Sequence, residues 1–213
     1  MMLAVETEHK RNPGFDSKRL HLLDAAARVF SEVGYDRASM RRIAAEAGVS
    51  LAGIYHYVAS KKELLHWIQY HTFDSLHRGL ERSLEGVVGS RQRLEAAVRN
   101  HLRHFGENMH ELRVCARELE TLEGEAYDDV QERRRAYFEA VHALVKELQP
   151  EQGAQLGSWL ATANLFGMLN WFYQWYDADN SRVSLDDLAD QQTTLFLDGY
   201  IASTSSNDDG GKE

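Results

Sequence analysis

The side chains best suited to chemistry gather in one stretch: His101, His104, His110, Cys115 and Glu118. Imidazole, thiolate and carboxylate are the donors that transition metals take. His101 and His104 lie three residues apart and share one face of a helix. A metal centre or a hydrolase needs more than this. His-Glu-x-x-His does not occur, and neither does Gly-x-Ser-x-Gly, the strained elbow that exposes a serine nucleophile. Histidines on amphipathic helices usually pack or stay solvated. No metal, cofactor or catalytic residue is therefore expected, and a helical metal protein or enzyme stands only as the alternative.

A second group could bind rather than react. The segment from Asn164 to Tyr176 carries Phe166, Trp171, Phe172, Tyr173, Trp175 and Tyr176. Aromatic rings supply large apolar area, some with a polar tip. Most of them should serve core and dimer packing. Asn170, Trp171, Tyr173 and Gln174 are candidates to line a cavity, with Phe166, Phe105 and Tyr137 as further apolar walls.

A third group has its punctuation written out. In residues 39–57, SMRRIAAEAGVSLAGIYHY, the small or apolar residues Ile43, Ala44, Ala47, Val49 and Ile54 fall where two short helices must cross. Gly48 permits the left-handed backbone that ends the first helix, and Ser50 is a natural N-cap for the second. A helix-turn-helix of this kind places its second helix in the DNA major groove. The net charge of −9 argues against a nucleic-acid binder until it is divided along the chain. Residues 1–67 hold ten Lys and Arg against eight Asp and Glu; the remainder holds fourteen against twenty-five. A head of net +2 on a body of net −11 suits a protein that touches phosphate at one end.

These groups need helices to position them. Pro occurs only at positions 13 and 150, no alternating strand pattern appears, and the fold expected is all-α. Residues 1–16 read as a disordered arm, with Lys10 and Arg11 able to approach DNA. A first helix is expected from about Lys18 to Val33, a second behind Ser39, and a third over about Leu51 to Tyr57. A fourth opens on the capping box Ser60-Lys61-Lys62-Glu63 and buries Leu64, Leu65, Ile68 and Leu76. GVVGS at 86–90 is a break. Helices over 91–107, 110–122, 126–148 and 153–176 follow, then one capped by Ser184 and running to about Ala202. Residues 203–213 read as a disordered tail.

The domains expected are a DNA-binding unit at 17–67 and a ligand-binding and dimerisation unit at 68–202. The uncharged run 153–176 is long enough to span a bilayer, but Gln155, Asn164, Asn170 and Gln174 favour a buried helix in a bundle. One cysteine excludes an internal disulfide framework. With no apolar signal segment read at the start, a cytoplasmic location is expected.

The residues resemble the TetR family of transcriptional regulators. The resemblance rests on Gly34-Tyr35, Ile43-Ala44, Ala47-Gly48-Val49-Ser50, Tyr55-His56-Tyr57 and Ser60-Lys61-Lys62-Glu63-Leu64-Leu65, and covers about residues 18–70. It implies a homodimer that binds a palindromic DNA operator and is released by a small-molecule effector. Carried over, Leu51, Ala52 and Gly53 lead the recognition helix, and Tyr55, His56 and Tyr57 contact phosphates or bases. Ser39 and Arg41 or Arg42 contact phosphate, and Lys61 matches the family's phosphate-binding lysine. The apolar lead leaves few side chains for base hydrogen bonds, so DNA shape should carry part of the preference. Leu185, Leu188, Leu195, Phe196 and Gly199 form the expected dimer stripe. The part from about 164 to 199 resembles members that sense acyl-CoA thioesters. Such an effector needs cations as well as an apolar slot, and Arg113, Arg117 and Arg133 to Arg135 are candidates. A ligand-independent DNA-binding regulator is the remaining alternative.

Overall fold

The computed structural model describes residues 13–148, 155–177 and 182–205, all helix and connecting turn. Residues 1–12 of the expected arm and 206–213 of the expected tail lie outside the described residues, as does Pro150; residues 203–205 of that tail belong to the last helix. Nine α-helices are described: α1 (Pro13–Val33), α2 (Met40–Glu46), α3 (Leu51–Ile54), α4 (Lys61–Leu84), α5 (Ser90–Glu107), α6 (Met109–Arg117), α7 (Glu125–Glu147), α8 (Gln155–Trp171) and α9 (Leu185–Ser205). Two single 3₁₀ turns, Leu119–Thr121 and Phe172–Gln174, follow α6 and α8.

Contacts divide the chain into two compact units, one ending at Ile68 and the other beginning at Gln69. The boundary falls inside α4, so that helix belongs to both.

The first unit is a three-helix head plus the opening of α4. Leu22, Ala26, Val29 and Phe30 on α1 are buried with Ile43, Ala44, Ile54, Leu64 and Leu65. Proline is tolerated in the first turn of a helix, and α1 begins at Pro13 rather than near Lys18; residues 13–16 therefore belong to a helix and not to the arm. Gly34, at φ 80°, ends α1, and its N–H bonds the Phe30 carbonyl. Gly48, at φ 65°, makes the turn between α2 and α3.

In the second unit, α5 and α9 pack face to face, and α7 and α8 close the other side. The core joins Leu76 and Leu80 to Leu94, Val98, Leu102, Phe105, Tyr137, Val141, Leu165, Phe172, Phe196 and Leu197. Gly106 permits the close approach: a Cβ there would stand 2.5 Å from Leu185 Cδ1. At the edge of this seam Arg103 takes the Asp186 carboxylate with both Nε and Nη2, and Arg99 bridges Asp186 and Asp190. The guanidinium groups hold the Asp186 carboxyl below the usual carboxylate range.

Helices α6 and α8 are shorter than the periodicity predicts. Each ends in a 3₁₀ turn that reorients the following side chains: Phe172 and Tyr176 turn inward, while Trp171 and Trp175 are left exposed. Among the described residues no helix is long and apolar enough to cross a membrane.

Candidate nucleic-acid interface and effector cavity

The head is assembled by side-chain caps. Ser39 Oγ accepts from the Arg42 N–H and starts α2; Ser50 Oγ accepts from the Gly53 N–H and starts α3. Ser60 Oγ accepts from the Glu63 N–H, and Glu63 reaches back to the Ala59 N–H at 2.6 Å, one residue beyond the usual capping-box target.

Helix α3 is a single turn, not the longer helix expected. After Ile54 the chain tightens to bonds from His56 N to Gly53 O and from Tyr57 N to Ile54 O. The expected reading face is nonetheless presented: Leu51, Ala52, Tyr55 and His56 are exposed, and Ile54 alone of α3 is buried. Gly53 and Tyr57 are half-buried and line a groove with Lys18, His21 and Val49. His21 Nε2 lies 3.1 Å from the Ala47 carbonyl and ties α1 to the end of α2.

The candidate phosphate contacts separate. Ser39 and Arg41 are exposed. Arg42 is exposed but held in an ion pair with Glu32 at 3.0 Å. Lys61, expected at phosphate, is engaged within the head. Its Nζ donates to the Tyr35 carbonyl at 2.7 Å, the Ala38 carbonyl at 2.9 Å and the Asp36 carbonyl at 3.4 Å. It also lies 4.2 Å from the Tyr35 ring centroid. An ammonium has three N–H donors, and here all three point at the loop between α1 and α2. Lys61 staples that loop and in this arrangement has no donor left for a phosphate.

The second unit holds a half-open cavity of about 480 Å³ among α4 to α8. Its walls are Phe73, Phe105, Leu112, Tyr137, Phe138 and Phe166, with Cys115, Ala116, His101, Gln131, Arg134, Arg135 and Asn170. Of the expected ligand-contacting residues, Phe105, Tyr137, Phe166 and Asn170 line it. Arg113, Arg117, Trp171, Tyr173 and Gln174 do not. Trp171 is 61% exposed on the outer side of α8. Arg117 lies over the Tyr173 ring, 5.7 Å from its centroid, on the turn after α8. The neighbouring Arg133 is held by Tyr70 and Asp74.

Two polar groups stand out on the cavity wall: Arg134, one of the cations expected to meet the effector, and His101, which was not expected there. Arg134 Nη1 donates to the Cys115 carbonyl at 3.1 Å, and its guanidinium lies 4.8 Å from the Phe73 ring centroid. Burial lowers its pKa, and no carboxylate appears among the groups that act on it. His101 is fully buried among Phe105, Tyr137 and Phe166, and its Nδ1 lies 3.2 Å from the Tyr137 hydroxyl. Desolvation pushes its pKa down to about 3, with the nearby His104 adding to the shift, so it is neutral. The signal for His101 was available: it interrupts the apolar face of α5 that runs through Ala97, Val98, Leu102 and Phe105.

Among the described residues no three His, Cys, Asp or Glu side chains converge. Cys115 is buried, its thiol pushed up to about 12 by desolvation.

The expected dimer stripe divides between the protomer's own core and its surface. Leu188 and Phe196 lie in the protomer's own core, and Leu185 packs against Gly106. Leu195 is 67% exposed, and Gly199 is exposed with open space beside it. On α8 a second outward stripe runs through Leu160, Asn164, Gly167 and Trp171, spaced to share one helix face. Helical spacing alone does not tell how far along α9 the core extends: Leu188 and Leu195 lie seven residues apart at nearly one angle, yet only Leu188 is buried.

Residues 22–68 match the bacterial regulatory proteins of the tetR family, and residues 88–200 match the tetracyclin repressor-like C-terminal domain. The chain belongs to the TetR family. TetR regulators bind operator DNA as dimers and respond to small effectors, so the chain is a transcriptional regulator rather than an enzyme. Over 83 residues this TetR protein is 41% identical to the HTH-type transcriptional activator FasR of Mycolicibacterium smegmatis, covering 39% of this chain and 38% of that one. The match thus spans under half the length of that relative. The HTH-type transcriptional repressor KstR2 of Rhodococcus jostii is 26% identical over 199 residues, 89% of this chain and 94% of that one. Among solved structures, that of AibR in complex with isovaleryl coenzyme A and operator DNA superposes with a TM-score of 0.73. It is 22% identical and covers 84% of this chain and 97% of that chain, a likeness of fold.

Proposed function

We propose that this TetR regulator is a dimeric repressor that leaves a palindromic operator when a small apolar acid derivative of the acyl-CoA type enters the cavity of its second unit. The observation that carries the reading is the aromatic cavity of about 480 Å³ with Arg134 in its wall. A guanidinium half-removed from water with no carboxylate acting on it favours an anionic ligand. Five aromatic rings around it favour an apolar body. The isovaleryl coenzyme A bound by AibR and the repressor name of KstR2 support the effector class and the sign of regulation.

On the DNA side, Ser39, Arg41, Leu51, Ala52, Gly53, Tyr55, His56 and Tyr57 form the reading surface. Leu51 and Ala52 offer apolar contact to thymine methyls, and Arg41 and Ser39 meet phosphate. The dimer forms through the outward stripes of α8 and α9, with Leu195, Gly199 and Trp171 at its centre. Release follows from differential affinity. The effector must bind more tightly to the dimer whose recognition helices no longer match major grooves about 34–36 Å apart. Helix α4, shared by both units, is the connecting lever.

The test is fluorescence anisotropy on a palindrome selected from random duplex DNA by the purified dimer, titrated with octanoyl-CoA. Specific binding that octanoyl-CoA reverses is expected. A selected operator that stays bound at saturating octanoyl-CoA would refute the effector reading while leaving the DNA reading intact.

A further inference from the structure

The groove beside the recognition helix carries no acid. Lys18 and His21 of α1 line it together with Ser50, Gly53, His56 and Tyr57 around α3, and it holds about 370 Å³. Its remaining walls, Leu22 and Val49, are apolar. In a chain of net charge −9, a lining of one lysine, two histidines and two hydroxyls without a carboxylate favours an anion. The carboxylates that flank it are already paired: Asp24 on α1 and Glu46 at the end of α2 both meet Arg28, at 2.8 and 2.9 Å. Arg19 lies over the Trp67 ring, 4.0 Å from its centroid. Lys18 is exposed and forms no ion pair with a described residue. With Lys61 engaged by the loop carbonyls, Lys18 is left able to meet a phosphate beside α3.

His21 adds a condition to that contact. Its Nε2 lies 3.1 Å from the Ala47 carbonyl. A carbonyl oxygen has no proton to give, so Nε2 carries the hydrogen whatever the charge of the ring. The neutral ring then has its lone pair on Nδ1, an atom with no hydrogen-bond partner among the described residues. The protonated ring puts an N–H there instead. A phosphate oxygen only accepts, so it is repelled by the lone pair and bound by the N–H. An anion in the groove and a proton on Nδ1 therefore stabilise each other. Ser50 supplies a fixed donor: its Oγ accepts from the Gly53 N–H and keeps its own proton for a second oxygen.

Resting on the reading surface above, we propose that the groove between α1 and α3 seats a phosphate of the DNA backbone, held by Lys18, Ser50 and the protonated Nδ1 of His21, so that DNA affinity is coupled to the uptake of a proton by α1. The other titratable and charged groups around His21 do not substitute for the phosphate. Lys18, His56 and Tyr57 offer no carboxylate, and Asp24 and Glu46 are held by Arg28. Imidazole is the side chain that changes charge between pH 5 and 8, so the coupling falls in that range.

The test uses the full-length dimer and duplex DNA of random sequence, with anisotropy measured at constant ionic strength between about pH 6 and 8. Wild-type affinity should fall about tenfold for each engaged head as pH rises, the worth of one charge-assisted hydrogen bond. His21→Gln, whose amide can still donate to the Ala47 carbonyl, should remove that dependence, with its fold checked by melting temperature. His56→Gln should retain it. Lys18→Met, a change at an exposed position, keeps the test open if His21→Gln does not fold. It should lower the slope of log K against log salt by about 0.9 for each engaged head. A pH dependence that survives His21→Gln, or one that is lost in His56→Gln, would overturn the assignment, as would an unchanged salt slope in Lys18→Met. Inorganic phosphate separates the two possible occupants. At millimolar concentration and constant ionic strength it should leave the DNA bound, and displacement would assign the groove to a free anion instead. Wild-type protein that binds no DNA at any of these pH values would overturn the reading surface as well.

Discussion

Replacing Lys61 by Met separates two roles that the sequence cannot distinguish. The substitution keeps an unbranched apolar stem and removes the ammonium. In the structure that ammonium makes hydrogen bonds of 2.7 and 2.9 Å to the Tyr35 and Ala38 carbonyls, a longer contact to Asp36, and a cation–π contact with Tyr35. A hydrogen bond to a charged group contributes about 1.5–3 kcal/mol, and a partly exposed cation–π contact about 0.5–1 kcal/mol. Lys61 is half-buried and water can replace part of what is lost, so a net cost of about 2–3 kcal/mol to the head is expected. Hydrogen exchange reads this where it occurs. The Ala38 amide bonds back to Gly34 and Tyr35 in the stapled loop, and its protection should fall by roughly 30- to 160-fold. Binding to nonspecific duplex DNA, measured against salt, gives the other half. Each neutralised phosphate contributes about 0.9 to the slope of log K against log salt. The staple reading expects an unchanged slope in K61M. Unchanged Ala38 protection together with a slope reduced by about one would refute the reasoning and restore Lys61 as a phosphate contact.

Acid should destabilise the second unit well above the carboxylate range. His101 and His104 have native pKa values of about 3 and 4, so the unfolded chain takes up their protons near pH 6.5 while the native state does not. Stability is therefore fully present above pH 6.5 and falls below it, by about 2 kcal/mol from His101 alone between pH 6.5 and 5; urea midpoints against pH measure this, and a native His101 ring that titrates near 6.5 would contradict it. Leu195→Glu or Trp171→Glu should convert the dimer to a folded monomer in light scattering, since each places a charge on an outward apolar stripe; a persistent dimer would move the interface elsewhere. Cys115, with its thiol near pKa 12, should hold about one part in ten thousand thiolate at pH 8 and resist iodoacetamide in the native protein while reacting readily in guanidinium. Arg41→Ala should lower the salt slope on DNA by about one with no change in melting temperature; an unchanged slope would remove Arg41 from the phosphate contacts.

The sequence by itself determined the elements and the head. Ser39, Gly48, Ser50 and Ser60 act through backbone groups within a few residues of themselves, so their types and spacing already specify where helices stop and start. The same holds for the buried set Ile43, Ala44, Ile54, Leu64 and Leu65, whose period alone gives the core face. Tertiary structure decided everything that depends on which of two plausible neighbours a side chain meets. Lys61 looks like a phosphate ligand until the loop at Tyr35 to Ala38 comes within reach of its ammonium. Leu188 and Leu195 occupy nearly the same angle on α9, yet one is buried in the protomer and the other exposed. Arg133, Arg134 and Arg135 are consecutive, and only packing gives Arg133 a carboxylate while leaving Arg134 with a cavity wall. His101 reads as a metal candidate beside His104, and is instead a neutral ring buried against Tyr137 and Phe166 because α7 and α8 bring those rings to it. Local punctuation is encoded in short-range backbone chemistry, whereas the binding chemistry of a side chain is set by desolvation and by partners far away in sequence.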